Sequence, residues 1–457
     1  MKNSKSNYND FDSIIEGMIA KYSNSLKPLK INIRDYSISN SSLRRSIHNL
    51  HKYPAKLLFN IPHFLLNNNI FSNINDIVLD PFCGSGTVLL EAILAERNAY
   101  GAEINPFARL ITEVKITSYD IEKLKKSYHR LSEKIKASSS SPNLVFDKYW
   151  FNERIRNELQ AIYDAISTVR NNKYRSFFIL CLSTTVSKVS FADPRIYVPV
   201  RFKKKQNSSN NKLFNENIDK RFKYLEEIDV SKIFYQISED NIEILKSTTK
   251  LFKKNTYSAQ VICNDARKLL MNSDGASFQN KLKSSSVDFI VTSPPYAGAQ
   301  KYIRSSRLSL PLIGLGNDEI RVLDHTSIGK ENCSVKNHLE IKKTDIKEAD
   351  RIINLIFKKN PSRAYVAYKY IIDMKLALSE SVRVLKKEHY FVLIIGNNTI
   401  SGYPFENHIY LNEILVKLGM TLELSLLDNI QSFGMITKRN VTANIIKEEW
   451  IQVYKKK

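Results

Sequence analysis

Five consecutive residues, Thr292-Ser293-Pro294-Pro295-Tyr296, bring together two aliphatic hydroxyls, two prolines and a phenol ring. Paired prolines fix φ near −65° and remove two backbone donors, so such a loop is stiff and rich in acceptors. That chemistry suits holding a flat group that carries an NH2. The same residues also read as a strand-ending turn whose tyrosine packs on the core. A second cluster is Asp80, Gly84 and Gly86, with Glu103 roughly 20 residues beyond the glycines, the spacing used to hold a ribose. Glycines let a backbone approach a nucleotide closely, and a carboxylate at a strand tip can accept both ribose hydroxyls. Leu89 stands where a third glycine of a dinucleotide fingerprint would be, so a pyrophosphate is not implied. A purely structural turn is the other reading. Asp265 can meet a purine amino group or cap the next helix. Lys52 and Tyr53, ahead of Pro54, are ligand contacts or an ordinary surface turn.

These residues need a scaffold that brings strand ends together. Val287–Val291 is an apolar, β-prone run that predicts a buried strand ahead of the proline loop. Residues 77–80 predict a short strand, 81–87 a tight turn, 88–97 an amphipathic helix and 99–104 a second strand, together a right-handed βαβ unit. Further strands are expected at 259–263, 390–395, 422–427 and 450–454, with helices at 57–64 (entered near Pro54), 362–385 and 409–418. Strands alternating with helices point to a doubly wound α/β sheet. Between them, 120–256 is helix-rich and charged, with paired helices at 154–170 and 174–190 and a long helical region at 218–252. This stretch interleaves aromatics with Arg201, Lys203, Lys204 and Lys205, a composition suited to stacking and phosphate contact. A solvated face on a structural insertion is the alternative. Residues 1–46 are expected to be a flexible lead-in, and 305–360 to be loop-rich.

The chain carries 69 Lys+Arg against 46 Asp+Glu, a formal +23, which favours a polyanionic partner. Its four cysteines form no C-x-x-C pair, so neither a disulfide framework nor zinc spacing is visible, and a reducing cytoplasm is expected. No apolar run is long enough to suggest a membrane span.

In this order the motifs resemble the S-adenosylmethionine-dependent amino-methyltransferases of DNA, which methylate the exocyclic amine of cytosine or adenine. Asp80-Pro81-Phe82-Cys83-Gly84-Ser85-Gly86-Thr87 is similar to the family's cofactor motif, and Ser293-Pro294-Pro295-Tyr296 to its catalytic loop. His51-Lys52-Tyr53-Pro54-Ala55-Lys56 looks like the N-terminal motif over the methionine end of the cofactor. Similarity continues through Gly298–Arg304 and Gly434–Asn440, and leaves out 120–256.

The resemblance implies a mostly parallel Rossmann-like methyltransferase sheet, its cofactor half at 47–119, a helical insertion at 120–256 and its catalytic half at 257–457; the insertion and residues 305–360 are the candidates for the target-recognition region. It implies S-adenosyl-L-methionine held by Lys52, Tyr53, Pro54, Asp80, Pro81, Phe82, Gly84, Gly86, Thr87, Glu103, Asp265, Ala266 and Thr292. Ser293 and Pro294 would orient the amine, beside Pro295, and Tyr296 would stack on a base flipped from the duplex. No metal is required. DNA contacts are expected from Arg201, Lys203, Lys204, Lys205, Lys301, Arg304, Lys438 and Arg439. Serine at the first loop position is more typical of cytosine N(4) enzymes than of adenine N(6) enzymes. The implied partners are double-stranded DNA and a cognate restriction endonuclease. An RNA base methyltransferase and a non-catalytic nucleic-acid binder are the competing readings.

Overall fold

The structure, a computed structural model, describes residues 8–36, 41–54, 56–137, 145–205, 211–252, 257–272, 278–298, 302–330, 341–429 and 448–457. Eight strands form one sheet: β1 (Leu29–Ile31), β2 (Ile77–Asp80), β3 (Asn98–Ala102), β4 (Ala259–Cys263), β5 (Val287–Thr292), β6 (Leu385–Ile395), β7 (Met420–Asn429) and β8 (Glu448–Lys456). Their spatial order is β1-β7-β8-β6-β5-β2-β3-β4. Strands β6-β5-β2-β3-β4 run parallel, and β8 alone is antiparallel to both its neighbours.

Helices cover both faces, which explains the apolar strands: all six residues of β5 are buried, Asp288 among them. Asp288 is tolerated because it accepts the backbone N–H of Ile77 on β2 at 2.9 Å. The chain order reverses on either side of β2, next to β5 and β3, so a crevice opens beyond the carboxyl ends of these strands.

The insertion is part of the same body. Phe177, Phe178 and Phe234, all fully buried, share a core with Leu90, Phe107 and Ile111 from the helices on either side of β3 and with Ile303, Leu308 and Leu310 from beyond the proline loop. Its helices Glu153–Ser167 and Asn172–Val189 follow the expected pair. The region 218–252 is two helices, Lys212–Glu227 and Val230–Thr248. Asp229 divides them by accepting the N–H of Lys232 as an N-cap.

Three expectations are corrected. The lead-in contains the helix Tyr8–Ser25, strand β1 and the helix Ser41–His48, and Ile15, Tyr22, Ile33 and Ile47 are buried. Its sparse apolar residues recur at helical spacing, and the polar composition between them masked that face. Pro54 starts no helix: the helix is Asn60–Leu66, with Pro62 in the first turn, where its missing N–H costs little. The loop-rich stretch contains helices Asn317–Thr326 and Lys347–Lys359. The second is amphipathic and buries Ile352, Ile353 and Ile356.

Candidate active site

The turn after β2 is shaped by close approach. Gly86 has φ +75°, and a Cβ there would lie 2.5 Å from Thr112 Cγ2. Gly101 on β3 is equally constrained, since a Cβ would come 2.8 Å from Cys83 Sγ. Thr112 donates to the Gly84 carbonyl, and the fully buried Lys115 donates to the Ser85 carbonyl at 2.8 Å. This turn thus stands on the helix Pro106–Ile116.

Glu103, just beyond β3, accepts the Gly84 N–H on one oxygen at 2.9 Å and the Asn105 N–H on the other at 2.7 Å. Burial nevertheless raises its pKa. Asp80, at the end of β2, accepts from Thr292 Oγ1 at 2.7 Å and from the Phe82 N–H at 3.0 Å. Burial carries its pKa to about 7, against these two hydrogen bonds, which lower it.

Both carboxylates line one cleft, which encloses about 890 Å3 with its open mouth included. Tyr53, Pro81, Phe82, Gly84, Thr87 and Ala266 line it too, as do Ser293 and Pro295 from the proline loop. The two motif groups, more than 200 residues apart in the chain, therefore face one space.

Other expected residues lie off the wall. Gly86 sits behind the turn, Lys52 is exposed, and Pro54 and Thr292 do not line the cleft. Pro294 is buried. Asp265 lines the cleft, but its carboxylate is held by Arg267 through Nε and Nη2, both at 2.9 Å, and by the Arg267 N–H. Tyr296 is only 7% exposed, and its hydroxyl donates to Glu449 on β8 at 2.8 Å. Burial and the neighbouring Glu449 raise the Tyr296 pKa. The core-packing reading of this tyrosine thus describes its position here.

Arg201, Lys203, Lys204, Lys205 and Arg304 line a second cleft, between the insertion and the segment after the proline loop. Lys301, Lys438 and Arg439 lie outside the described residues.

Residues 1–113 match the family model described as DNA methylase. The chain is 25% identical to the type II methyltransferase M.MvaI of Kocuria varians, over 89% of each chain. It is 36% identical over 112 residues to M.MjaII of Methanocaldococcus jannaschii, covering 24% of this chain and 20% of that one. It is 24% identical to M.BsoBI of Geobacillus stearothermophilus, over 65% of this chain and 58% of that one. The chain thus matches the DNA methylase family over its first quarter and is similar to type II methyltransferases along most of its length.

The site also contains residues to which the motifs assigned no role. Asn105 is fully buried and caps the helix Pro106–Ile116 through Oδ1, while its Nδ2 donates to Ser306 Oγ at 2.9 Å and lies 3.4 Å from Tyr53 Oη. The signal was the N-cap pattern Asn-Pro directly after the Glu103 strand. Tyr302 lines the cleft, its pKa raised by burial and then by the nearby Glu103. Ser85 also lines it, with a buried hydroxyl that has no partner among the described residues. Ser85 lies within the glycine motif and Tyr302 within the similar stretch Gly298–Arg304, but neither motif assigned them a role.

Proposed function

We propose that this methyltransferase moves a methyl group from S-adenosyl-L-methionine to the exocyclic amine of a base flipped out of duplex DNA, with cytosine N4 favoured over adenine N6. The observation that carries this reading is the shared cleft, in which Ser293 and Pro295 face Asp80, Gly84 and Glu103.

The donor set suits that cofactor. Each Glu103 oxygen has taken one backbone N–H and keeps a lone pair for a ribose hydroxyl. The Asp80 carboxyl, with a pKa of about 7, would gain its charge readily near the positive charge that the cofactor carries. The unpartnered Ser85 hydroxyl offers a further polar contact. When bound, the cofactor supplies an electrophilic methyl group on sulfur.

The amine of a nucleobase is a weak nucleophile because its lone pair is delocalised into the ring. Ser293 Oγ and the Pro294 carbonyl would accept its two N–H bonds and draw the nitrogen toward tetrahedral geometry. Ser293 Oγ has no hydrogen-bond partner among the described residues, so it has acceptor capacity to spare. Holding the amine in line with the methyl group is a proximity effect, for which up to about 7–11 kcal/mol is available. Extruding the base costs a few kcal/mol, which contacts in the cleft must offset. The preference for cytosine rests on Ser293 at the first loop position. The relatives named type II methyltransferases support a place in restriction-modification, beside a companion endonuclease.

The test is nucleoside mass spectrometry of duplex DNA after incubation with the purified protein and S-adenosyl-L-methionine. N4-methylcytosine is the expected product. N6-methyladenine would keep the reaction and change the base, whereas methylated transfer RNA beside unmodified DNA would overturn the proposal.

A further inference from the structure

The second cleft lies away from the residues assigned to cofactor and amine. Arg195, Arg201, Lys203, Lys204 and Lys205 reach it from the insertion, and Arg304 and Arg307 from the segment after the proline loop. Two carboxylates line the cleft, Asp147 and Asp193; Asp193 is already bonded to Arg195 through two hydrogen bonds from its side chain, and Lys204 is paired with Asp219 at 2.6 Å. Neither Lys203 nor Arg307 has an ion-pair partner among the described residues, and both are exposed.

Aromatic faces order part of this charge. The Arg201 guanidinium lies 4.8 Å from the Tyr149 ring centre and 4.9 Å from that of Phe191, and Lys205 lies 4.7 Å from Phe214. Exposed apolar side chains mark the same region: Tyr149, Tyr197 and Val200 are 43%, 50% and 51% exposed. A concave surface that carries the exposed cations Lys203 and Arg307 and exposed rings is complementary to a polyanion that also offers flat faces.

Its position decides the occupant. The segment 302–307 borders both clefts: Tyr302 lines the first, and Arg304 and Arg307 line the second. Between them, Ile303 is buried in the insertion's core, and Ser306 accepts from Asn105, which caps the helix after Glu103. The two clefts are therefore fixed relative to one another through packed side chains.

We infer that the cleft between the insertion and Arg304/Arg307 is a composite site for the phosphates of duplex DNA flanking the target base. This rests on the proposed methyl transfer to DNA. The insertion and the catalytic half each supply part of the site, so neither half holds the backbone alone.

The test compares full-length wild type with Lys203→Gln/Arg307→Gln, by fluorescence anisotropy on a mixed-sequence 30-base-pair duplex from 50 to 300 mM salt. Counterion release predicts that losing two phosphate contacts reduces the log–log salt slope by about 2 and weakens binding at least about tenfold at the low-salt end. Binding of S-adenosyl-L-methionine, read by calorimetry, should be unchanged and serves as the folding control. Lys21→Gln/Lys27→Gln, on the N-terminal helix and the turn after it, should retain the wild-type slope. If wild type binds DNA steeply with salt and the cleft variant keeps its slope, this inference fails while the methyltransferase reading stands. If wild type neither binds nor methylates DNA, both fail. A variant that loses affinity for RNA and not for DNA overturns the choice of DNA.

Discussion

Thr292 Oγ1 donates to Asp80 Oδ1 at 2.7 Å, joining the ends of β5 and β2 where the strand order reverses. The residue before Ser293 is thereby tied to the carboxylate that opens the glycine turn. Burial lifts the Asp80 pKa from 3.8 to about 7. Over that window the folded protein keeps a proton that the unfolded chain releases, so this group lowers stability as pH rises from about 4 to about 7. Asp80→Asn cannot ionise. The stability gap between variant and wild type should move in the variant's favour by roughly 2–4 kcal/mol between pH 4 and pH 8. Urea unfolding at both pH values measures this, with Glu103 common to both proteins. A gap that stays constant with pH would show that the proton is not held. Methyl transfer by the variant should fall sharply even where it is the more stable protein.

Glu91, on the helix after the glycine turn, is fully buried and takes Arg44, His48 and His63, with His48 Nε2 at 2.9 Å. Arg44 and His48 belong to the helix Ser41–His48, so one carboxylate anchors the N-terminal segment to the cofactor half. Glu91→Gln leaves the Arg44 charge buried without its counterion, a change that costs about 3–5 kcal/mol in comparable sites. Thermal and urea unfolding should show that loss, together with earlier proteolytic cleavage near residue 50. A loss below about 1 kcal/mol would mean that the segment is held by apolar packing alone.

How much of this was legible depended on whether the signal was local. The βαβ unit and β5 were readable because glycines, prolines and apolar runs impose conformation over a few residues. The antiparallel placement of β8 between β6 and β7 was not, because pairing direction is decided by partners far away in the chain. Likewise, Asp265 was readable as an acidic residue past β4, but Arg267, two residues on, occupies its carboxylate in a network that reaches Asp373 on a distant helix. Glu91 gave no sign in the sequence, since a buried carboxylate looks like any surface glutamate until its cations are brought to it.

Gly101 lies on β3 directly behind the turn, where a Cβ would stand 2.8 Å from Cys83 Sγ and 3.0 Å from Leu89 Cδ2. Gly101→Ala should therefore push the turn outward and weaken S-adenosyl-L-methionine binding by at least about tenfold, or about 1.4 kcal/mol. Gly101→Ala/Cys83→Ala removes the sulfur and should restore much of the affinity. Calorimetric titration of both variants checks this, and equal affinities for the two would remove the sulfur from the argument.

Tyr296 has two separable features, a ring in the core and a hydroxyl on Glu449. Tyr296→Phe keeps the ring and leaves the Glu449 carboxyl, whose pKa burial already raises, without its donor. That should cost about 1–3 kcal/mol of stability, the price of an unsatisfied buried acceptor, and leave methyl transfer within a few-fold of wild type. Tyr296→Ala removes the ring as well, and it should lose most methyl transfer while still binding S-adenosyl-L-methionine. Single-turnover rates and calorimetry on the two variants distinguish the roles. If the Ala variant transfers methyl at the wild-type rate at a temperature where it remains folded, the ring is a core residue only and the target base is stacked elsewhere in the cleft, for which Tyr302 is the aromatic already on the wall.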